Sequence, residues 1–225
     1  MEQQARRSGQ FIFSSVRIPA GAVTLSGELC FPTGASGLVL FAHGSGSSRH
    51  SPHNQAVAQI IRDAGVGTLL FDLLTEEEGR VDERTRHLRF DLALLSQRLQ
   101  DATRWGRDET ATRALRLGYF GASTGAAAAL LAAAELGATI GAVVSRGGRP
   151  DLAGAALSRV PAPTLLIVGG RDELVLRLNE EAFDQLAGPK ELAIIPGATH
   201  LFPEPGALEE VAQLAAHWFQ HYLQP

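Results

Sequence analysis

The sequence predicts a doubly wound, mostly parallel α/β sheet with helices on both faces and antiparallel strands at its N-terminal side. Three observations lead there. Apolar runs of strand length alternate with helical stretches from about residue 38 to the last residues. One of those runs, Leu38 to Ala42, is apolar throughout, as in a strand buried on both faces, and others, such as Pro163 to Val168, are nearly so. Four of them stop abruptly at small or polar residues: His43 to Gly46, Gly121 to Gly125, Gly169 to Asp172 and Gly197 to His200.

Taken in order, residues 11 to 19 and 22 to 31 read as two strands broken at Pro19-Ala20-Gly21, an antiparallel entry. Residues 38 to 42 form the first buried strand, and a helix over 52 to 64 starts after Ser51-Pro52 and stops at Gly65. Residues 66 to 72 are the next strand. Thr75 to Arg84 reads as a charged connection, with Glu76-Glu77-Glu78 as a solvated loop. A helix over 86 to 104 carries Leu88, Leu92, Leu95 and Leu99 at three- and four-residue spacing. Leu115 to Phe120 is a strand and Ala126 to Leu136 a small-residue helix; Thr139 to Ser145 is a strand, followed by a short helical segment to Leu157. Strands at 163 to 168 and 191 to 195 then alternate with helices at 175 to 187 and 208 to 222.

Composition narrows the function. With 225 residues, 45% hydrophobic and 20% charged, the chain suits a single domain over 1–225, with residues 1–10 expected to be flexible. A net charge of -4 with no basic stripe argues against nucleic acid as a partner. Lys190 is the only lysine. Cys30, the single cysteine, excludes an intramolecular disulfide and reads as a buried structural thiol. No apolar run is long enough to span a membrane, and Arg6-Arg7 is followed by no apolar export segment, so a cytoplasmic protein is expected. His50, His53 and His87 lack the spacing of metal ligands, and Gly44-Ser45-Gly46 lacks a dinucleotide or P-loop fingerprint; neither a metal nor a cofactor is expected.

The chemistry centres on Gly121-Ala122-Ser123-Thr124-Gly125, a G-x-S-x-G pentapeptide between a strand and a helix. Such a junction lifts a strained serine above the sheet edge, and glycines two residues to either side allow the backbones to pass closely. Serine needs a base to take its proton, and a histidine base needs a carboxylate to fix its tautomer. Asp172 and His200 follow in that order, each just after a predicted strand. In an open parallel sheet those strand ends are where ligands bind.

With HGSG at 43 to 46, GASTG at 121 to 125, GGRD at 169 to 172 and GATH at 197 to 200, the chain resembles the alpha/beta-hydrolases, and among them the small, lidless dienelactone-hydrolase-like group. The resemblance spans about Val23 to Tyr222. It implies an alpha/beta-hydrolase fold with no cap domain, with Ser123 as nucleophile, Asp172 as acid and His200 as base. Dienelactone hydrolases proper carry cysteine at the elbow, so the serine here favours a general serine esterase acting on small carboxylic esters or lactones. A thioesterase, a peptidase and a catalytically silent scaffold remain as alternatives. The backbone N–H groups of Thr124 and Ser45 are expected to hold the oxyanion, with Gly46 as near alternative to Ser45 and as a substrate-binding position. His43 is expected to brace its loop. Asp151 is a second candidate for the acid. Arg146 is a candidate clamp for a substrate carboxylate, weighed against an ion pair of Arg146 or Arg149 with a neighbour such as Asp151. With only Arg146 to Ala162 between two strands, the site should be open and suit short acyl groups. The expected partner is a small-molecule ester or lactone; no membrane is involved, and a homodimer is left open.

Overall fold

The computed structural model describes residues 6–8 and 11–224, with side chains from residue 11 onward. Its centre is a nine-stranded sheet in the order β1-β2-β3-β5-β4-β6-β7-β8-β9. Strands β1 (Arg6–Ser8), β2 (Phe11–Ala20) and β3 (Val23–Pro32) form an antiparallel edge. The remaining strands, β4 (Gly37–Ala42), β5 (Gly67–Phe71), β6 (Arg116–Ala122), β7 (Ile140–Arg146), β8 (Thr164–Gly169) and β9 (Lys190–Ile195), pair in parallel. Antiparallel β3 against β5 joins the two parts. Most of the residues expected to be flexible, 1–5 and 9–10, lie outside the described residues, and Arg6–Ser8 adds a short strand that nothing in the sequence marked.

Strands β4, β5 and β8 are buried along their whole length, as their apolar content requires. Helices α1 (Pro52–Asp63) and α6 (Ala207–Tyr222) cover one face, through Val57, Ile61, Val211, Ala215 and Phe219. On the other face lie α3 (Leu92–Asp108), α4 (Thr124–Leu136), a 3-10 segment at Pro150–Arg159 and α5 (Glu173–Gln185). The alanines of α4 let it approach the sheet closely, and Ala126 to Leu130 are fully buried. Cys30 is buried, and desolvation pushes its thiol up to about 11, which keeps it protonated and unreactive.

The charged connection after β5 differs from its sequence reading. Glu76–Thr85 is a helix, α2, opened by a capping box: Thr75 Oγ1 accepts from Glu78 N–H at 3.2 Å, and Glu78 Oε2 accepts from Thr75 N–H at 2.7 Å. Glu78 also receives Arg98 of α3, which docks the helix, so the Glu76-Glu77-Glu78 run is not a loop. The next helix starts at Leu92 rather than 86, because Asp91 caps it by accepting from Leu94 N–H at 3.0 Å.

The strand order reverses between β5-β4 and β6-β7, so the connections leaving β4 and β6 run to opposite sides of the sheet. That topological switch opens a crevice above the carboxyl ends of β4 and β6.

Candidate active site

Two of the predicted segments flank this crevice. Ser123, between β6 and α4, has φ 51 and ψ -121, a conformation that costs a non-glycine residue about 1–3 kcal/mol and persists only when its surroundings impose it. They do so here through the backbone. Ser123 N–H donates to Arg146 O at 3.2 Å, and its carbonyl accepts from Ala126 N–H and Arg149 N–H, each at 3.1 Å. Gly125 passes so close to β4 that a Cβ there would come 2.1 Å from Ala42 O, so the elbow admits no side chain at that position.

Asp172 sits at the N-cap of α5 yet makes no capping bond with its side chain. Its carboxylate turns instead to His200, whose Nδ1–H donates to Asp172 Oδ2 at 2.6 Å. An ionised carboxylate only accepts, so the proton sits on Nδ1 and the lone pair on Nε2 is left for a substrate or nucleophile proton. The turn that carries His200 is itself braced. Thr199 donates both its N–H and its hydroxyl to Glu204 Oε1, at 3.1 and 2.7 Å. Phe202, two residues after the histidine, is buried with φ 57. The hydroxyl of Thr199 is the largest of the influences that hold the Glu204 carboxyl below its ordinary range. Neither Phe202 nor Glu204 carries a signal in the sequence. Among the described residues, Ser123 Oγ makes no protein hydrogen bond; in ligand-free sites such contacts commonly close only around substrate.

The predicted oxyanion donors lie together. Thr124 is the first residue of α4, where a backbone N–H has no intrahelical acceptor. Ser45 N–H, from the loop after β4, donates to Thr124 Oγ1 at 3.1 Å. The second expected donor is thus already engaged by a threonine hydroxyl that an incoming oxyanion must displace or share. Gly46 (φ 74) follows in a turn closed by Ser47 N–H to Gly44 O at 3.1 Å. His43 is a brace: its Nε2 accepts from Leu73 N–H at 3.0 Å and its Nδ1–H donates to Gly44 O at 3.0 Å. Desolvation lowers its pKa, which keeps the ring in the neutral form this bridge needs.

The other candidates separate. Arg149 takes Asp151 in a bidentate pair, with both contacts at 2.8 Å, so Asp151 is occupied beside the elbow. Arg146 has no carboxylate partner among the described residues. It is buried, its guanidinium carbon lies 5.8 Å from the centre of the Phe202 ring, and desolvation lowers its pKa to about 10. Asp72 is bound to Arg49.

Residues 35–218 match the family described as alpha/beta hydrolase domain, and the chain belongs to that family. Among solved structures it is similar to a dienelactone hydrolase from Anabaena variabilis, 59% identical, with a TM-score of 0.94 over 96% of this chain and 100% of that one. It also resembles Est1E from Butyrivibrio proteoclasticus with ferulic acid bound, at 18% identity and a TM-score of 0.78 over 92% of this chain and 98% of that one, a likeness of fold. Two Mycobacterium tuberculosis proteins provisionally named phosphoribosyl transferases are 56% identical over 208 residues, 92% of this chain. The chain spans about half the length of these curated relatives, 46%. No described helix is long and apolar enough to cross a membrane.

Proposed function

We propose that the protein is a serine hydrolase that cleaves small carboxylic esters or lactones through an acyl-enzyme. The observation that carries this reading is the 2.6 Å bond between His200 and Asp172 at the same sheet edge as the strained elbow serine. His200 Nε2 takes the Ser123 proton as Oγ attacks the carbonyl carbon, and the tetrahedral oxyanion falls to Thr124 N–H and to Ser45 or Gly46 N–H. The carbon–oxygen bond to the leaving group breaks as His200 returns the proton to that oxygen. Water then attacks the acyl-enzyme by the same route. Asp172 holds the imidazole and stabilises its charged form.

The transferase name of the mycobacterial relatives describes proteins of which this chain covers 46%, whereas the hydrolase family matches residues 35–218 of this chain itself. We therefore follow the hydrolase family. The test is intact-mass spectrometry after exposure to a fluorophosphonate, beside turnover of p-nitrophenyl acetate and butyrate. Wild type should gain one adduct, and Ser123→Ala should gain none and lose about 10⁴-fold or more in kcat. Folded wild-type protein that neither labels nor turns over would overturn the reading.

A further inference from the structure

A groove of about 1470 Å³ opens directly beside the oxyanion loop, lined by His43 to Pro52 on one side and by Asp72 to Arg89 with part of β3 on the other. The site is therefore open, as the missing cap implies, yet walled on this side by α2 and the 3-10 segment Leu88–Phe90. The lining is mixed, polar and apolar in nearly equal shares, and its charges balance. Seven serine or threonine residues line it, three of them, Thr24, Ser45 and Ser47, with hydroxyls that make no side-chain hydrogen bond among the described residues, and its five arginines are matched by five carboxylates. Most of those charges are paired already: Arg49 with Asp72, Arg80 with Glu76 at 3.5 Å, and Arg89 with Asp82 at 2.5 Å.

Arg89 stands out for its rigidity. Its Nε donates to Asp82 Oδ2 and its Nη2 to Asp82 O at 3.1 Å, while Asp82 is buried and also accepts the N–H groups of Leu88 and Arg89. Nη1 is left without a protein partner among the described residues, and a Cβ at Gly46 would come 3.2 Å from it. A fixed guanidinium thus holds free donors against the loop that receives the oxyanion. An alkyl chain in this groove would strip water from hydroxyls and ion pairs without replacing its hydrogen bonds. An anion would meet as many carboxylates as guanidinia. A ligand rich in hydroxyls both donates and accepts, and satisfies both kinds of wall.

We propose that the groove is the subsite for a neutral, polyhydroxylated moiety of the substrate, a sugar or similar polyol esterified at the carbonyl that Ser123 attacks, with Arg89 Nη1 as its anchoring donor. This rests on the ester-hydrolase reading above. The experiment follows acetate release from three acetyl esters: a mono-acetylated methyl glucoside, ethyl acetate, and the acetylated methyl glucuronide, which adds a carboxylate. The glucoside ester should exceed ethyl acetate in kcat/KM by about tenfold or more, the scale of one or two charge-assisted hydrogen bonds. The glucuronide should do no better than the glucoside.

In Arg89→Met the glucoside-to-ethyl ratio should fall by about tenfold. Because that change strands the buried Asp82, Thr24→Trp provides a second variant: Thr24 is an exposed strand residue in the groove wall, and an indole there narrows the groove from the solvent side without removing a core contact. Equal rates on glucoside and ethyl esters, a preference for the glucuronide, or a ratio unmoved in both folded variants would overturn the inference. Fluorophosphonate labelling of the same preparation separates the two failures. Labelled enzyme without a sugar-ester preference defeats this subsite alone, whereas folded enzyme that does not label defeats the hydrolase reading beneath it.

Discussion

Ser123 shows what a single residue contributes to a site of this kind. Its φ of 51 lifts the hydroxyl above the sheet edge and restricts what else can stand there. A residue branched at Cβ is a steric outlier in that region, whereas cysteine is no larger at Cβ than serine. Ser123→Cys should therefore fold and be alkylated by iodoacetamide at position 123, while Ser123→Thr should lose both thermal stability and fluorophosphonate labelling. Gly125→Ala, whose Cβ would overlap Ala42 O at 2.1 Å, should yield no folded protein when followed by circular dichroism. The placement of Ser123, Asp172 and His200 at one edge was legible in the sequence because each lies one to five residues beyond the carboxyl end of a parallel strand, so that chain order carries them there. What escaped were the contacts made through space between distant segments: Thr124 Oγ1 on Ser45 N–H, Glu204 beneath Thr199, and Arg89 over Gly46. None repeats with a period or forms a motif, so only the folded backbone brings them together.

Among the elements, the central strands were readable from apolar content and the helices flanking them from periodicity. Helix α2 was not, since its residues are charged on nearly every side and it has no apolar stripe to bury. Its one local sign was Thr75 followed three residues later by Glu78, a capping-box spacing that a dense run of glutamates conceals. Thr75→Ala should lower stability by about 1 kcal/mol in urea unfolding. Glu78 has a second role. Its hydrogen bonds from the Arg98 guanidinium, more than any other influence, hold its carboxyl down at about 2 instead of 4.5. A folded-state pKa below the unfolded one means stability that is present above the unfolded value and lost as pH falls through the folded one. Glu78→Gln should therefore cost about 2 kcal/mol near neutrality, and the difference from wild type should shrink as pH falls from 4.5 toward 2. A gap that stays constant over that range would show that the ion pair does not contribute to stability.

On the scale of the whole molecule, the sheet divides the labour: two apolar clusters on its faces hold the domain together, and the strand ends on one edge hold the candidate chemistry. The oxyanion loop, nucleophile, acid and base of the proposed function fall to residues 45, 123, 172 and 200, carried by four different strands with a helix or more between each pair. No fragment shorter than residues 45–200 contains all four. On the proposed function, hydrolytic turnover reports on the integrity of the parallel part of the sheet, since the loss of any one of strands β4, β6, β8 or β9 from the array scatters the constellation. In a urea titration, turnover and far-ultraviolet ellipticity should decline along the same curve; activity lost well before ellipticity would mean that the β9–α6 turn bearing His200 opens by itself. On the proposed function, turnover becomes an assay of nativeness, suited to following refolding, where a spectroscopic signal that recovers early would count as folded many molecules whose sheet is still incomplete.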